Sequence, residues 1–197
     1  MKKAWIGLMV AAVVGVAGAA RAVGQAESTS WQRMRLQTFG MLSYVNPDYG
    51  GAKKNAGGTV GAELNFGQFF HRVEPSLELR AVGSGGRVSN QYVYSAGPRV
   101  ELDYGKFHPY GVFTVGYGKI TFATPAVFAT GPYVFDTSTV FTYGGGLDYT
   151  LNRTWAVRAD VTRQSWQVGQ TAAPFYPTTV SVGVRYRFHF HDKSSPF

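Results

Sequence analysis

The sequence predicts an all-β chain: an eight-stranded antiparallel up-and-down transmembrane β-barrel, preceded by a cleavable signal peptide. Three observations predict it. After Ser30, apolar and polar residues alternate with period two in eight successive segments. The connections between those segments alternate between tight turns and longer loops. The chain also opens on a short basic start followed by an apolar run, the pattern of an export signal.

Lys2 and Lys3 form that basic start, and Ala4 to Ala20 is rich in Ala and Val. Ala20-Arg21-Ala22 reads as a small-x-small cleavage site. Residues 1–22 are therefore expected to be the signal peptide, with a cut nearer Ala26 as a variant because Arg21 is unusual there. An uncleaved anchor is the competing reading.

The first segment is about Trp31–Val45, with Met34, Leu36, Leu42 and Tyr44 on one face and Arg33, Arg35, Gln37 and Ser43 on the other. The second, about Thr59–Phe69, sets Val60, Ala62, Leu64 and Phe66 against Gly61, Glu63, Asn65 and Gly67. The third, about Arg72–Val82, alternates Val73, Pro75, Leu77 and Leu79 with Glu74, Ser76, Glu78 and Arg80. Pro75 lacks a ladder donor and is expected at a bulge or irregularity. The fourth, about Gln91–Tyr104, opposes Tyr94, Ala96, Val100 and Leu102 to Ser95, Gly97, Arg99, Glu101 and Asp103. The fifth, about Pro109–Ile120, has no clear phase.

The sixth segment, about Thr139–Tyr149, sets Phe141, Tyr143 and Leu147 against Thr142, Gly144, Gly146 and Asp148. The seventh, about Thr154–Arg163, sets Trp155, Val157 and Val161 against Ala156, Arg158, Asp160 and Thr162. The eighth, about Thr178–Phe190, sets Val180, Val182, Val184, Tyr186 and Phe188 against Ser181, Gly183, Arg185 and Arg187. Long loops are expected near Asn46–Gly58, Gly83–Asn90, Thr121–Ser138 and Gln164–Pro177. The barrel domain is expected over residues 31–190, with 191–197 as a short tail. Strands of about ten residues, rising about 3.3 Å each and tilted by about 45°, can cross a hydrocarbon layer.

Composition excludes several classes. With 197 residues the chain fits one domain or two small ones. Charged residues are 15%, well below the roughly 25% of soluble domains. Mean hydropathy is −0.10, too low for a bundle of apolar helices of about 20 residues. Zero cysteine removes a disulfide framework, a thiolate metal site, a Cys nucleophile and a lipid-anchored N-terminus. Loss of Lys2, Lys3 and Arg21 with the signal would lower the net charge from +8 to +5. Export also argues against a nucleic-acid partner.

Alternation alone also fits a soluble carrier with its apolar face inward. Three features favour a membrane. Aromatics gather towards both ends of the segments: Tyr44, Tyr92, Tyr94, Tyr143 and Trp166 near the long loops, and Phe66, Phe69, Phe70, Tyr104, Phe107, Tyr149, Trp155, Phe188 and Phe190 near the short turns. The polar face carries Arg33, Arg35, Arg80, Arg99, Arg158, Arg185 and Arg187, balanced by Glu63, Glu74, Glu78, Glu101, Asp103, Asp148 and Asp160. Such balance is expected of a lumen filled by ion-paired side chains. Finally, Ser181, Gly183, Tyr186 and Phe188 follow the polar-x-Gly-x-x-aromatic-x-aromatic order of a C-terminal assembly signal.

Phe39-Gly40-Met41-Leu42-Ser43-Tyr44, Gly97-Pro98-Arg99, Gly144-Gly145-Gly146-Leu147-Asp148-Tyr149 and Arg158-x-Asp160 together resemble the OmpA-like outer-membrane β-barrel superfamily. Met41 and Leu42 depart from the pattern of its first strand. The resemblance implies a small bacterial outer-membrane barrel. It implies structural, adhesive or resistance roles and no single activity.

Catalysis has thin support. Small barrels that modify lipid A use His with Ser, but His71, His108, His189 and His191 all fall at the short-turn rim, where a lipid A enzyme would not need its base. No catalytic residue, metal site or cofactor is therefore expected. Eight strands leave an interior just wide enough for side chains, so a narrow gated channel is the second reading. The expected function is a non-enzymatic, structural or surface-interaction barrel. Its expected partners are outer-membrane lipids, lipopolysaccharide and the outer-membrane assembly machinery, with no nucleic acid and with the loop ligand open.

Overall fold

The computed structural model describes residues 34–48, 54–68, 72–87, 89–128, 131–168 and 173–188. The expected signal peptide and tail lie outside them, as do Arg33, Phe69, Phe70, His71, His189, Phe190 and His191.

The strands are β1 (Arg35–Asn46), β2 (Asn55–Asn65), β3 (Val73–Gly85), β4 (Ser89–Leu102), β5 (Phe107–Phe128), β6 (Gly131–Thr150), β7 (Trp155–Val168), β8 (Ala173–Phe175) and β9 (Thr178–Arg187). Each long strand pairs antiparallel with its neighbours in sequence. β9 pairs with both β7 and β1, which closes the sheet into eight staves. The three-residue β8 is an addition on the end of β7.

The register fixes the barrel's shape. A path of paired residues from Arg35 runs through Asn65, Ser76, Arg99, Val112, Gly144, Thr162 and Thr179. It returns to β1 at Val45, ten residues further on. That stagger over eight strands implies a tilt of about 40° and a backbone radius of about 8 Å.

Side chains sort by parity. Odd residues of β1, β2, β4 and β9 face inward, as do even residues of β3, β5, β6 and β7. This resolves the fifth segment: Tyr110, Val112, Thr114 and Ile120 point in and are buried. The other face is a band of exposed apolar residues, including Leu42 at 77%, Val60 at 58% and Val182 at 56%. The soluble-carrier arrangement is thus reversed here, with the apolar wall outside and most polar groups inside.

Two connections and the setting of Pro75 differ from the sequence reading. β3 and β4 are joined by residues 86–88 alone, because Ser84 and Ser89 continue their strands. The expected loop Thr121–Ser138 is mostly hairpin, with β5 reaching Phe128 and β6 starting at Gly131. Pro125 falls within a register shift between Thr121 and Ala126, where no ladder donor is needed. Pro75 makes no bulge. Its carbonyl accepts from Phe66 N–H on the β2 side, beyond the last β2–β3 pair, Asn65 with Ser76. Its missing N–H is therefore harmless at the end of that ladder.

Two inward aromatics need glycine beside them. Phe39 pairs with Gly61, and Tyr110 with Gly146. A Cβ on Gly61 would strike the Phe39 ring and the Leu79 carbonyl; one on Gly146 would lie 2.7 Å from the Tyr110 ring. Gly61→Val and Gly146→Val should each destabilise the barrel by about 1–3 kcal/mol. Urea unfolding in vesicles, followed by loss of heat-modifiable migration, measures this. An unchanged midpoint in both would contradict the close approach.

Candidate functional site in the barrel lumen

The register stacks the inward residues in three layers. The layer nearest the short turns is ionic. Among the described residues, Arg80, Arg99, Arg158 and Arg185 are buried there with Glu63, Glu74, Glu78, Glu101, Asp148 and Asp160. Strands β2, β3, β4, β6, β7 and β9 each contribute, so the cluster ties together distant parts of the wall.

Asp148 and Glu63 are its hubs. Arg158 Nε donates to Asp148 Oδ1 at 2.8 Å and its Nη2 to Glu63 Oε2 at 2.9 Å. Arg99 Nη1 reaches Glu63 at 2.5 Å and its Nη2 reaches Asp148 at 2.7 Å. Arg185 Nη1 bridges Glu101 at 2.9 Å and Asp148 at 2.8 Å. Arg80 joins Glu78 and Asp160, both at 2.8 Å. The two aromatics floor this cluster. The Arg99 guanidinium lies 3.9 Å from the Tyr110 centroid, and that of Arg158 lies 4.4 Å from the Phe39 centroid. The Tyr110 hydroxyl donates to Asp160 at 3.1 Å.

Above it lies a belt of hydroxyls. Ser43 bonds Thr59 at 2.7 Å and Ser181 at 3.0 Å, and Thr114 bonds Ser95 at 3.0 Å. Towards the long-loop end the charges stop, and Val82, Val93, Ile120, Val140 and Trp166 pack together beside the buried polar residues Asn55, Ser84, Gln91 and Gln164. Trp166 is fully buried, donates to Gln164 Oε1 at 2.9 Å, and stacks on Phe175 of β8 at 5.5 Å.

Several sequence expectations are corrected. The lumen is not charge-balanced: four arginines face six carboxylates among the described buried residues. Arg35 is exposed at the rim. Arg187 is half-buried at the mouth and forms no ion pair among the described residues. Asp103 sits in the β4–β5 turn, where Oδ1 accepts from Gly105 N–H at 2.9 Å. Glu74 takes a hydrogen bond from Asn65 at 2.9 Å in place of an arginine. Strand ends explain these departures, because parity continues there after the lumen has opened to solvent. Trp166 is no girdle residue; it shares the even parity of Arg158 and Asp160 and points inward.

His108 is not in a turn but on β5, buried, with Nδ1 3.2 Å from Glu101 Oε1. Phe39, Met41 and Tyr110 are lumen residues that alternation alone did not reveal. Of the remaining aromatics expected at the two ends, Tyr44, Tyr92, Tyr94 and Tyr143 are exposed near the long loops. Phe66, Tyr104, Phe107, Trp155 and Phe188 are exposed near the short turns. In the last strand, Ser181 faces the lumen, and Tyr186 makes edge contacts of 4.9 Å with both Trp155 and Phe188. No group of three metal-ligating side chains occurs among the described residues.

A closed sheet with charge inside and an apolar wall outside is the arrangement a bilayer demands. The outer membrane protein β-barrel domain model matches residues 9–188. The chain belongs to this family. It is a bacterial outer-membrane barrel, and its short turns mark the periplasmic side. Ail, the attachment invasion locus protein of Yersinia pestis, superposes with a TM-score of 0.50 at 16% identity, covering 79% of this chain and 98% of that one. The Neisserial surface protein A gives 0.49 at 13%, covering 79% and 97%. OprG of Pseudomonas aeruginosa gives 0.44 at 16%, covering 80% and 97%. At 16% identity the likeness to Ail shows the fold alone. Nothing among curated protein sequences matches.

Arg158 carries the sharpest test of the ionic layer. Arg158→Leu removes a cation shared by Glu63 and Asp148, leaves the buried carboxylates in larger excess, and should cost about 3–5 kcal/mol of unfolding free energy. Arg72→Gln, at the short-turn rim, should cost under about 1 kcal/mol. Urea titration of the folded protein in vesicles compares the two.

Proposed function

We propose that this protein is a sealed, non-enzymatic barrel with a structural or surface-interaction role in the outer membrane. The observation that carries the reading is the layered lumen. Within a wall of about 8 Å radius, buried arginines bridge strands across the interior, and an apolar cluster around Trp166 fills part of the far end beside uncharged polar side chains. An ion crossing would have to displace bonded guanidiniums and then pass Trp166. Two unlike barriers in series leave no ready hydrated path.

The non-enzymatic reading is supported by the setting of His108, which lies in the periplasmic mouth beside Glu101 rather than at the outer-leaflet side. The wall would meet membrane lipid and lipopolysaccharide through its aromatic ends. The last strand, through Ser181, Gly183, Tyr186 and Phe188, would be the segment read by the assembly machinery. The loops would present any binding surface.

A narrow channel has one observation in its favour. The hydroxyls of Thr142 and Thr179, midway along the lumen, are buried without a protein partner, so the belt has polar capacity to spare for water. Planar-bilayer recording separates the readings. The wild type should show no sustained steps, and Trp166→Ala should stay silent because the ionic layer remains. Reproducible wild-type openings would overturn the sealed reading. Altered lipid A in cells carrying the gene, seen by mass spectrometry, would overturn the non-enzymatic one.

A further inference from the structure

The outer wall is uneven. On β5, β6 and β7 its exposed residues are large, including Phe113, Tyr117, Phe141, Tyr143 and Val161. On β2, β3 and β4, small residues interrupt it. Paired rows run Gly58–Gly83–Tyr92, Val60–Ala81–Tyr94 and Ala62–Leu79–Ala96 across these three strands. An open apolar groove of about 480 Å³ lies there, lined by Val60, Ala62, Leu79, Ala81 and Tyr94. Tyr94 is exposed and forms one wall. In the next row towards the long loops, the Tyr92 ring lies beside Gly83.

Cations gather at the long-loop end of the same face. Lys54 directly precedes β2, and Arg87 lies in the β3–β4 turn. Lys119 points outward on β5, paired with Tyr92. All three are exposed, and none forms an ion pair among the described residues. Lys54 Nζ donates to Asn46 Oδ1 at 2.7 Å, which leaves two of its three donors. Lys119 Nζ lies 5.0 Å from the Phe135 centroid, which holds it at the wall. The described carboxylates at this end are placed elsewhere. Asp48 follows β1 and accepts from Tyr176 N–H at 3.0 Å. Asp136, on the inward parity of β6, accepts from Thr137 N–H at 2.7 Å.

The groove and the cations are separated by a telling depth. Val60 is six residues from Lys54 along β2, and Ala81 is six from Arg87 along β3. At the tilt of this barrel the groove lies about 15 Å below the cations. That is one leaflet of a hydrocarbon core of about 30 Å. The short turns face the periplasm, so this is the outer leaflet. A lipid whose head rests on the cations has its chain ends at the groove. A second barrel docked on this face would instead crowd both copies' cations together with no carboxylate to offset them.

We propose that this face binds the lipid A part of a lipopolysaccharide molecule, with a phosphate on Lys54, Arg87 and Lys119 and an acyl chain in the groove beside Tyr94. Lipid A supplies both features the face asks for, anionic phosphate at the surface and several acyl chains beneath it. The site names a partner for the surface-interaction reading and rests on it. The bilayer recordings and lipid A analysis described above test that reading separately.

The test incubates the folded protein, in non-ionic detergent, with purified bis-phosphorylated lipid A and reads bound lipid by native mass spectrometry. A saturable one-to-one complex is expected. The triple variant Lys54→Gln, Arg87→Gln, Lys119→Gln should weaken it by about tenfold or more. Lipid A stripped of its phosphates should bind the wild type as weakly. Ala81→Phe fills the groove with the cations intact and should weaken binding by about fivefold or more. Arg163→Gln, at an exposed outward position on β7, should bind as the wild type does. Heat-modifiable migration reports that each variant is folded. No complex, equal retention by the triple variant, or equal weakening in Arg163→Gln would overturn the proposal. A wild-type dimer dispersed by Ala81→Phe, with lipid A unbound, would assign the face to a second copy and overturn it too.

Discussion

Everything in this molecule follows from one constraint. In hydrocarbon a backbone N–H or C=O has no water to turn to, so every strand edge must be paired. The sheet meets that demand by closing β9 onto β1. Closure with a ten-residue stagger then fixes the tilt and the radius. The radius decides what the lumen can hold: not a second layer of backbone, only side chains reaching inward from opposite walls.

Those side chains divide the interior by chemistry. Towards the periplasm, guanidiniums and carboxylates from six strands meet at distances set by the register. Arg158, fully buried, reaches Glu63 on β2 and Asp148 on β6. In such a site, ion pairs give little net stability over well-packed apolar residues, but removing one partner is severe. The cluster therefore acts as a cross-brace that specifies which strands share the interior. Towards the outside the same volume is filled by Trp166, aliphatic side chains and uncharged polar groups such as Asn55, Gln91 and Gln164, with no charge to satisfy. The hydroxyl belt separates the charged part of the lumen from this uncharged part.

The periplasmic mouth is where this order ends. Parity still points Arg35, Arg187 and Asp103 to the lumen side, but solvent now competes for them. Arg35 is exposed, Asp103 caps its own turn, and Arg187 is left between like charges with an unused donor. A braced interior and a solvated rim thus arise from the same alternation at different depths.

How much was legible varies with the residue. The pairing of apolar and polar parities on seven segments is plain in the sequence, and so are the wall and the buried residues Glu63, Arg80, Arg99 and Arg158. Trp166 was legible too: it lies on the parity of Arg158 and Asp160, and only the habit of placing tryptophan at an interface obscured it. Gly61 and Gly146 were legible as inward glycines, but not as seats for Phe39 and Tyr110, because register alone sets those pairs side by side. The phase of β5 was hidden because Gly, Val and aromatics occupy both of its faces. The sequence by itself determined strand number, the two faces and the closed class of fold, since period-two alternation is a local property of the chain. Only the tertiary structure decided which charges meet, how the lumen is layered and which arginines remain unpaired, since those depend on stagger around the whole ring.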